Sequence, residues 1–245
     1  MVLAAGAGVR LRPLTRLLPK ALCPVAGRPL VDLAIERVRA ATDDVAVNVH
    51  HGRRMLEDHL GGRVHVSVEE PIALGTAGAL AHLRPWIDGR PVLLTNADAW
   101  VTPDVGAFVE GWDGERVRLL CVRDPDRGDF DDLRYCGVAL LPYATVVPLP
   151  SEPSGLYEAS WGALRRLDRL DLVVHEGAFV DCGTPADYLV ANLAANGGSS
   201  VLGPGAVVGD GAVVDQSVVW PGSEVEPGEV LRRAIRAEHL TVLVR

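Results

Sequence analysis

Over roughly its first 195 residues the chain alternates short Val- and Leu-rich runs with helix-patterned stretches, and no other feature limits its fold so strongly. Val2–Ala5, Val45–Val49, Val64–Val68, Val92–Thr95 and Val117–Val122 read as strands bounded by turns or charges. Between them, Leu30–Ala40 reads as a helix in which Leu30, Leu33, Ala34 and Val38 share a face, with Pro29 suited to its first turn. Further helices are predicted at Arg53–Leu60, Thr76–Leu83, Asp104–Gly111, Glu158–Asp168 and Pro185–Ala195. Such alternation implies an α/β domain with a Rossmann-like, mostly parallel sheet flanked by helices, whose ligands sit beyond the carboxyl ends of the strands.

The last 45 or so residues follow another rule, because an aliphatic residue returns at every sixth position: Val201, Val207, Val213, Val219, Val225 and Leu231. The units VLGPGA and VVGDGA carry Gly at equivalent places, as a chain needs when it turns a corner after each short strand. The pattern resembles the hexapeptide repeat of left-handed β-helices, which by that likeness has about three hexads per coil and so gives two coils here. Two coils bury little on their own, so the tail is expected to lean on the first domain or on another copy of the chain. The expected domains are residues 1–197 and 198–245.

Composition removes several functions. With 24 Lys plus Arg against 32 Asp plus Glu, the net charge of −8 argues against a nucleic-acid binder, and 5% aromatic content supplies no stacking surface. No run of about 18 apolar residues offers a membrane span, and the N-terminus lacks a signal-peptide pattern. Cys23, Cys121, Cys136 and Cys182 form no CxxC pair, so neither zinc nor a disulfide framework is expected and the reducing cytoplasm fits best. His50 and His51 read as a solvated pair without a role.

Anion chemistry must therefore be local, and the first 31 residues qualify: they hold no acidic residue but contain Arg10, Arg12, Arg16, Lys20 and Arg28. A small-residue loop after Ala5 lets backbone N–H groups from Gly6 to Val9 close around a phosphate. The segment lacks a third glycine for a dinucleotide fingerprint and the GK[ST] ending of a P-loop, which disfavours an oxidoreductase. Arg10 and Lys20 can instead approach one polyphosphate from different sides. Lys20 is the only lysine of the chain, retained where a compact ammonium differs most from a planar guanidinium.

In order along the chain, LAAGAGVRLRPLT with PKAL, EEPIALGTAGAL, TNAD, FVDCGTPADYLVAN and the hexad tail resemble the motifs of the sugar-1-phosphate nucleotidyltransferases, also called nucleoside-diphosphate-sugar pyrophosphorylases. Within that family PKALCPVAGRPL, GTAGAL and TPADY followed by a β-helix look most like mannose-1-phosphate guanylyltransferases, while PDRGDFDDLRYCGVALLP is similar to N-acetylmuramate-1-phosphate uridylyltransferases. The resemblance implies that an NTP and a sugar 1-phosphate give an NDP-sugar and pyrophosphate, with GTP and mannose 1-phosphate or a related manno sugar expected. A uridylyltransferase for an N-acetylated amino sugar and a non-catalytic regulator that binds an NDP-sugar are the alternatives.

The same resemblance assigns roles by position. Arg10 would stabilise the α-phosphate and the departing pyrophosphate, Lys20 would hold substrate phosphate, and Asp98 and Asp181 would bind Mg2+ through hard carboxylate oxygens. Leu3, Ala4, Ala5, Gly6 and Gly8, with Gly75, Thr76, Gly78 and Asn96, would border the nucleotide; Thr76 could also cap its helix. Gly137 would lie along the sugar, whereas Glu158 is a sugar candidate from its neighbourhood alone, not by a matched motif. The family's EKP sugar motif is absent, so sugar identity is not readable, and the tail is expected to support a homo-oligomer.

Overall fold

The computed structural model describes residues 1–244, which fall into two compact units. The first comprises 1–6, 34–97 and 101–179; the second comprises 7–33, 98–100 and the described residues from 180 to 244. No helix among the described residues is long and apolar enough to cross a membrane.

The first unit is built on a seven-stranded sheet. From edge to edge its strands are Leu170–Val174, Val117–Arg123, Leu133–Leu141, Val92–Asn96, Val2–Leu3, Ala46–Val49 and His65–Val68. Pairing is parallel except at Leu133–Leu141, which runs antiparallel to both neighbours. The mostly parallel α/β fold expected from the alternation is present, but this long strand escaped the sequence reading. Its stretch LRYCGVALL is interrupted by Gly137, whose φ of +79° breaks the alternating pattern that would have marked it. Leu80, Leu94, Leu119, Phe130 and Leu141 are fully buried in the core of this unit, each worth about 1.5–3 kcal/mol of apolar burial.

Several predicted bounds shift for local reasons. The first strand stops at Leu3 rather than Ala5, because the Ala4 N–H donates to the Asn48 side chain instead of to a strand neighbour. Pro29 sits in a small hairpin, Arg28–Pro29 against Pro24–Val25, ahead of the helix Leu30–Arg39. The stretch predicted as one helix over Glu158–Asp168 is a π-helical turn, Tyr157–Trp161, followed by an α-helix, Gly162–Arg166. Arg53–Leu60 and Pro185–Ala195 match their predicted spans, the latter capped by Thr184 and opened by a proline.

In the second unit the tail forms three short parallel ladders, 201–202 with 218–219, 207–208 with 224–225, and 213–215 with 230–232. The next turn is closed by the hairpin Ala234–Ala237 and Leu240–Leu243. This is the expected β-helix, but its coil is seventeen residues long: Val201 faces Val218 and Val213 faces Val230. One residue is missing at the corner after Asp215, where Gln216 takes a φ of +44°. The second coil supplies the buried row Val219, Val225 and Leu231, against which Ala206, Ala212 and Val214 pack, while Leu202 and Val208 are exposed; the simple six-residue row predicted through Val201, Val207, Val213 and Val219 is corrected, since Val201 aligns with Val218.

The tail does not stand apart inside this unit. Val201, Val218, Trp220 and Ile235 share one core with Leu11, Leu14, Cys23, Tyr188 and Leu189. Trp220 Nε1 donates to the Tyr188 hydroxyl at 3.0 Å, and the hydroxyl donates to the Pro24 carbonyl. Burial drives the Tyr188 pKa well upward, keeping that hydroxyl protonated as a donor.

Candidate active site

Four charged residues that are widely spaced in the sequence meet in the second unit. After Gly8 the chain winds through three 3-10 turns, Val9–Leu11, Leu14–Arg16 and Lys20–Leu22, because Pro13 and Pro19 prevent a continuous helix. Gly8 has a φ of +59°, and a Cβ there would lie 2.9 Å from Lys20 Cβ and 2.8 Å from Thr15 Cγ2, so glycine is what lets the loop close over the lysine. Lys20 is only 8% exposed, which excludes a casual surface lysine. Its Nζ donates to Asp98 Oδ2 at 2.9 Å and lies 3.7 Å from Asp181 Oδ1.

Arg10 completes the group at 3.8 Å from Asp181 Oδ2, with a mostly exposed side chain. Asp98 and Asp181 are brought side by side by the backbone: the Cys182 N–H donates to the Asp98 carbonyl at 3.0 Å. Gly183, which the sequence reading passed over, leaves room for the guanidinium, since a Cβ on it would lie 3.2 Å from Arg10 Nη2. Cys182 beside them is buried, and burial pushes its thiol up to about 12 against the smaller opposing pull of Lys20.

Among the described residues no group of three or more His, Cys, Asp or Glu forms a closed metal cage. Asp98 and Asp181 nevertheless converge on one cationic atom and are both partly open to solvent. Two hard carboxylates with the remaining positions left to phosphate and water suit Mg2+, which keeps several non-protein ligands.

The first unit holds a cavity of about 440 Å³ lined by Leu3, Asn96, Asp129, Tyr135, Glu158 and Trp161, among others. Asn96 ends its strand, and Gly137 sits against it: a Cβ there would come within 3.1 Å of Asn96 Cβ. Glu158 rises from the π-helical turn and folds back over Gly155, a position where any side chain would collide with its carboxylate. Such turns recur where a side chain must be redirected toward a site.

The glycines of GTAGAL serve packing in this unit. A Cβ on Gly75, whose φ is +69°, would lie 2.5 Å from the Ser154 carbonyl oxygen, and one on Gly78 would lie 2.7 Å from that of Glu152. Ala77 N–H donates to Ser154 O, and Leu156 N–H donates to Thr76 Oγ1 at 2.8 Å. Thr76 therefore seats the 152–156 loop and does not cap its own helix, which starts at Gly75 without a side-chain cap.

The loop around Ala5 is pinned as well. The Ala4 N–H is bound by Asn48 Oδ1, while the Ala5 carbonyl accepts from the His51 N–H and lies 3.1 Å from His51 Nδ1. A Cβ on Gly6 would meet nothing within 4 Å, so that face of the loop is open. His50 Nδ1 lies 2.8 Å from the Glu69 carbonyl oxygen; the histidine pair is tied to the loops rather than merely solvated.

Residues 1–126 match the nucleotidyl transferase family, and the chain is a member of it. A relative from Caulobacter vibrioides, an N-acetylmuramate α-1-phosphate uridylyltransferase, is 32% identical over 78% of this chain and 94% of its own. A probable mannose-1-phosphate guanylyltransferase of Arabidopsis thaliana is 25% identical over 77% of this chain and 62% of its own. A solved structure, a putative glucose-1-phosphate thymidylyltransferase from Bacillus anthracis, superposes with a TM-score of 0.69 at 20% identity, covering 79% of this chain and 93% of that one; it attests the fold. The chain is thus a sugar-1-phosphate nucleotidyltransferase, an enzyme of nucleotide-sugar synthesis.

Proposed function

We propose that this enzyme transfers a uridylyl group from UTP to the 1-phosphate of an N-acetylated amino sugar and releases pyrophosphate. The single observation that carries this choice is the Caulobacter vibrioides relative, matched over 94% of its length. The segment first read as similar to that class, residues 125–142, also supplies Asp129, Phe130 and Tyr135 to the cavity of the first unit. A guanylyl transfer to mannose 1-phosphate is the second reading, supported by the Arabidopsis thaliana relative and by the β-helix tail. Ala77, fully buried in the core, and Ala21, 4% exposed, supply no added room that would favour a purine over a pyrimidine.

In the reaction an oxygen of the sugar phosphate attacks the α-phosphorus, the new P–O bond forms as the bond to the bridging oxygen breaks, and pyrophosphate departs with the electron pair. We assign charge stabilisation at the phosphates to Arg10 and Lys20, a nucleotide border to Asn96, and sugar contacts to Glu158 and the backbone at Gly137. Asp98 and Asp181 would hold Mg2+, which when bound supplies Lewis-acid charge at the phosphate oxygens. We keep residues 1–197 as the catalytic domain and 198–245 as the β-helix appendage. For the tail we propose contact with a second copy, since Val207, Val213 and Val230 are exposed on it, a reading that light scattering of the purified protein as a monomer would remove.

The deciding experiment is a matrix of UTP, GTP, dTTP, CTP and ATP against hexose and N-acetylated amino-sugar 1-phosphates, read by pyrophosphate release. Highest kcat/KM with UTP and an N-acetylated sugar is expected. A clear preference for GTP with mannose 1-phosphate would replace this reading with the second.

A further inference from the structure

Glu69 is completely buried at the end of the strand His65–Val68, and the chemistry assigned so far makes no use of it. Its Oε1 accepts from Asn48 Nδ2 at 2.6 Å, and its Oε2 accepts from the Leu74 N–H at 2.7 Å. Asn48, 3% exposed at the end of the neighbouring strand, uses its Oδ1 to accept from the Ala4 N–H at 2.7 Å. Three hydrogen bonds in series therefore run from the Ala4 amide through two side chains to the Leu74 amide. Ala4 belongs to the segment Leu3–Gly6, and Leu74 immediately precedes Gly75, Thr76 and Gly78.

We propose that Asn48 and Glu69 are positioning residues that set the spacing between these two nucleotide-binding segments, an inference that rests on reading Leu3–Gly6 and Gly75–Gly78 as the borders of the nucleotide. Both ends of the bridge are backbone donors, which cannot rotate away, so the bridge must present an acceptor at each end and an internal donor. An Asn–Glu pair provides that sequence with every bond satisfied. Buried networks of this kind fix one arrangement where an apolar pair would tolerate several. The link sits at the carboxyl ends of adjacent parallel strands, the edge where this class of sheet binds its ligands.

The polarity of the bridge gives a test that a merely structural residue would fail. Glu69→Gln alone sets its amide N–H against either Asn48 Nδ2 or the Leu74 N–H, donor against donor. Asn48→Asp alone sets two carboxyl groups against each other. The double variant Asn48→Asp with Glu69→Gln restores all three bonds in order: Ala4 N–H to Asp, Gln Nε2 to Asp, and Leu74 N–H to Gln Oε1.

For the full chain, UTP and GTP affinities are measured by calorimetry, and kcat and KM are measured separately for nucleotide and sugar 1-phosphate. Each single variant is expected to raise the nucleotide KM about tenfold or more while kcat and the sugar KM change by less than about threefold, and the double variant is expected to return the nucleotide KM to within about threefold of wild type. Unchanged nucleotide KM in folded single variants would overturn the proposal, as would a double variant that folds without recovering affinity. Loss of kcat and both KM values in step with melting temperature would mark the pair as structural only. Wild-type protein that binds neither UTP nor GTP would overturn the nucleotide reading itself, and the spacing proposal with it.

Discussion

The charged group of the second unit and the cavity of the first are built by opposite means. Arg10, Lys20, Asp98 and Asp181 come together as side-chain charges, and the roles proposed for them rest on their residue types. The cavity is shaped by backbone: a glycine beside Asn96, a π-helical turn under Glu158 and glycines that admit the 152–156 loop. Charge at fixed points governs rate, whereas shape governs which substrate enters, so the two regions should respond differently to substitution.

Removal of residues after Gly198 should have the largest effect. It takes Val201, Val218, Trp220 and Ile235 out of the core that also holds Leu11, Leu14 and Tyr188, each buried aliphatic side chain being worth about 1.5–3 kcal/mol. Loss of the folded second unit, and with it of all turnover, is expected; a truncated protein with native circular dichroism and native rate would show that the charged group needs no β-helix. The sequence alone suggests a milder outcome, in which removal of the tail changes assembly or solubility more than chemistry.

Asp98→Ala and Asp181→Ala come next. Each should lower kcat by about a thousandfold with the melting temperature little changed, and chelation of divalent ions should do the same to the wild type. Rates within tenfold of wild type would separate these carboxylates from the chemistry. Lys20→Arg should follow with about a hundredfold loss, because a buried pocket closed by Gly8 and shaped for a point charge receives a wider planar fork. Near-native activity in that variant would show that any cation serves between the two carboxylates.

The cavity should give smaller and more selective effects. Glu158→Gln is expected to raise the KM for the sugar 1-phosphate about tenfold while kcat holds, the signature of lost ground-state binding. An equal fall in kcat would instead move Glu158 into the transition state and erase the contrast between the regions. Gly75→Ala should be the mildest in turnover but visible in stability: strained φ and contact with Ser154 O predict a melting temperature lower by about 2–12 °C. No shift in a melting curve would mean that the 152–156 loop can yield, and that glycine is present there for another reason.

What was legible in the chain is what local pattern and residue type encode. Alternation of apolar runs announced the α/β sheet, the hexad tail announced the β-helix, and a lone lysine in an arginine-rich protein pointed to Lys20. Asn48 carried no signal, and Glu69, although it opens the segment EEPIALGTAGAL, was given no role, since an asparagine or glutamate at a strand end is ordinarily solvent-facing and only pairing across strands buries these two. The antiparallel strand Leu133–Leu141 was hidden for a related reason: its partners lie far away in the sequence, and Gly137 interrupts its pattern locally.

The sequence by itself therefore determined the class of fold, which follows from period within short windows, while the reaction type followed from the likeness of its ordered motifs to a known family. Tertiary structure decided the rest. A single missing residue at Gln216 resets the coil to seventeen residues, aligning Val201 with Val218 instead of Val219, and only the cross-strand register reveals it. The convergence of Lys20 with Asp98 and Asp181, and the glycine contacts that seat the cavity's loop, likewise depend on long-range backbone approach, a quantity that no local pattern records.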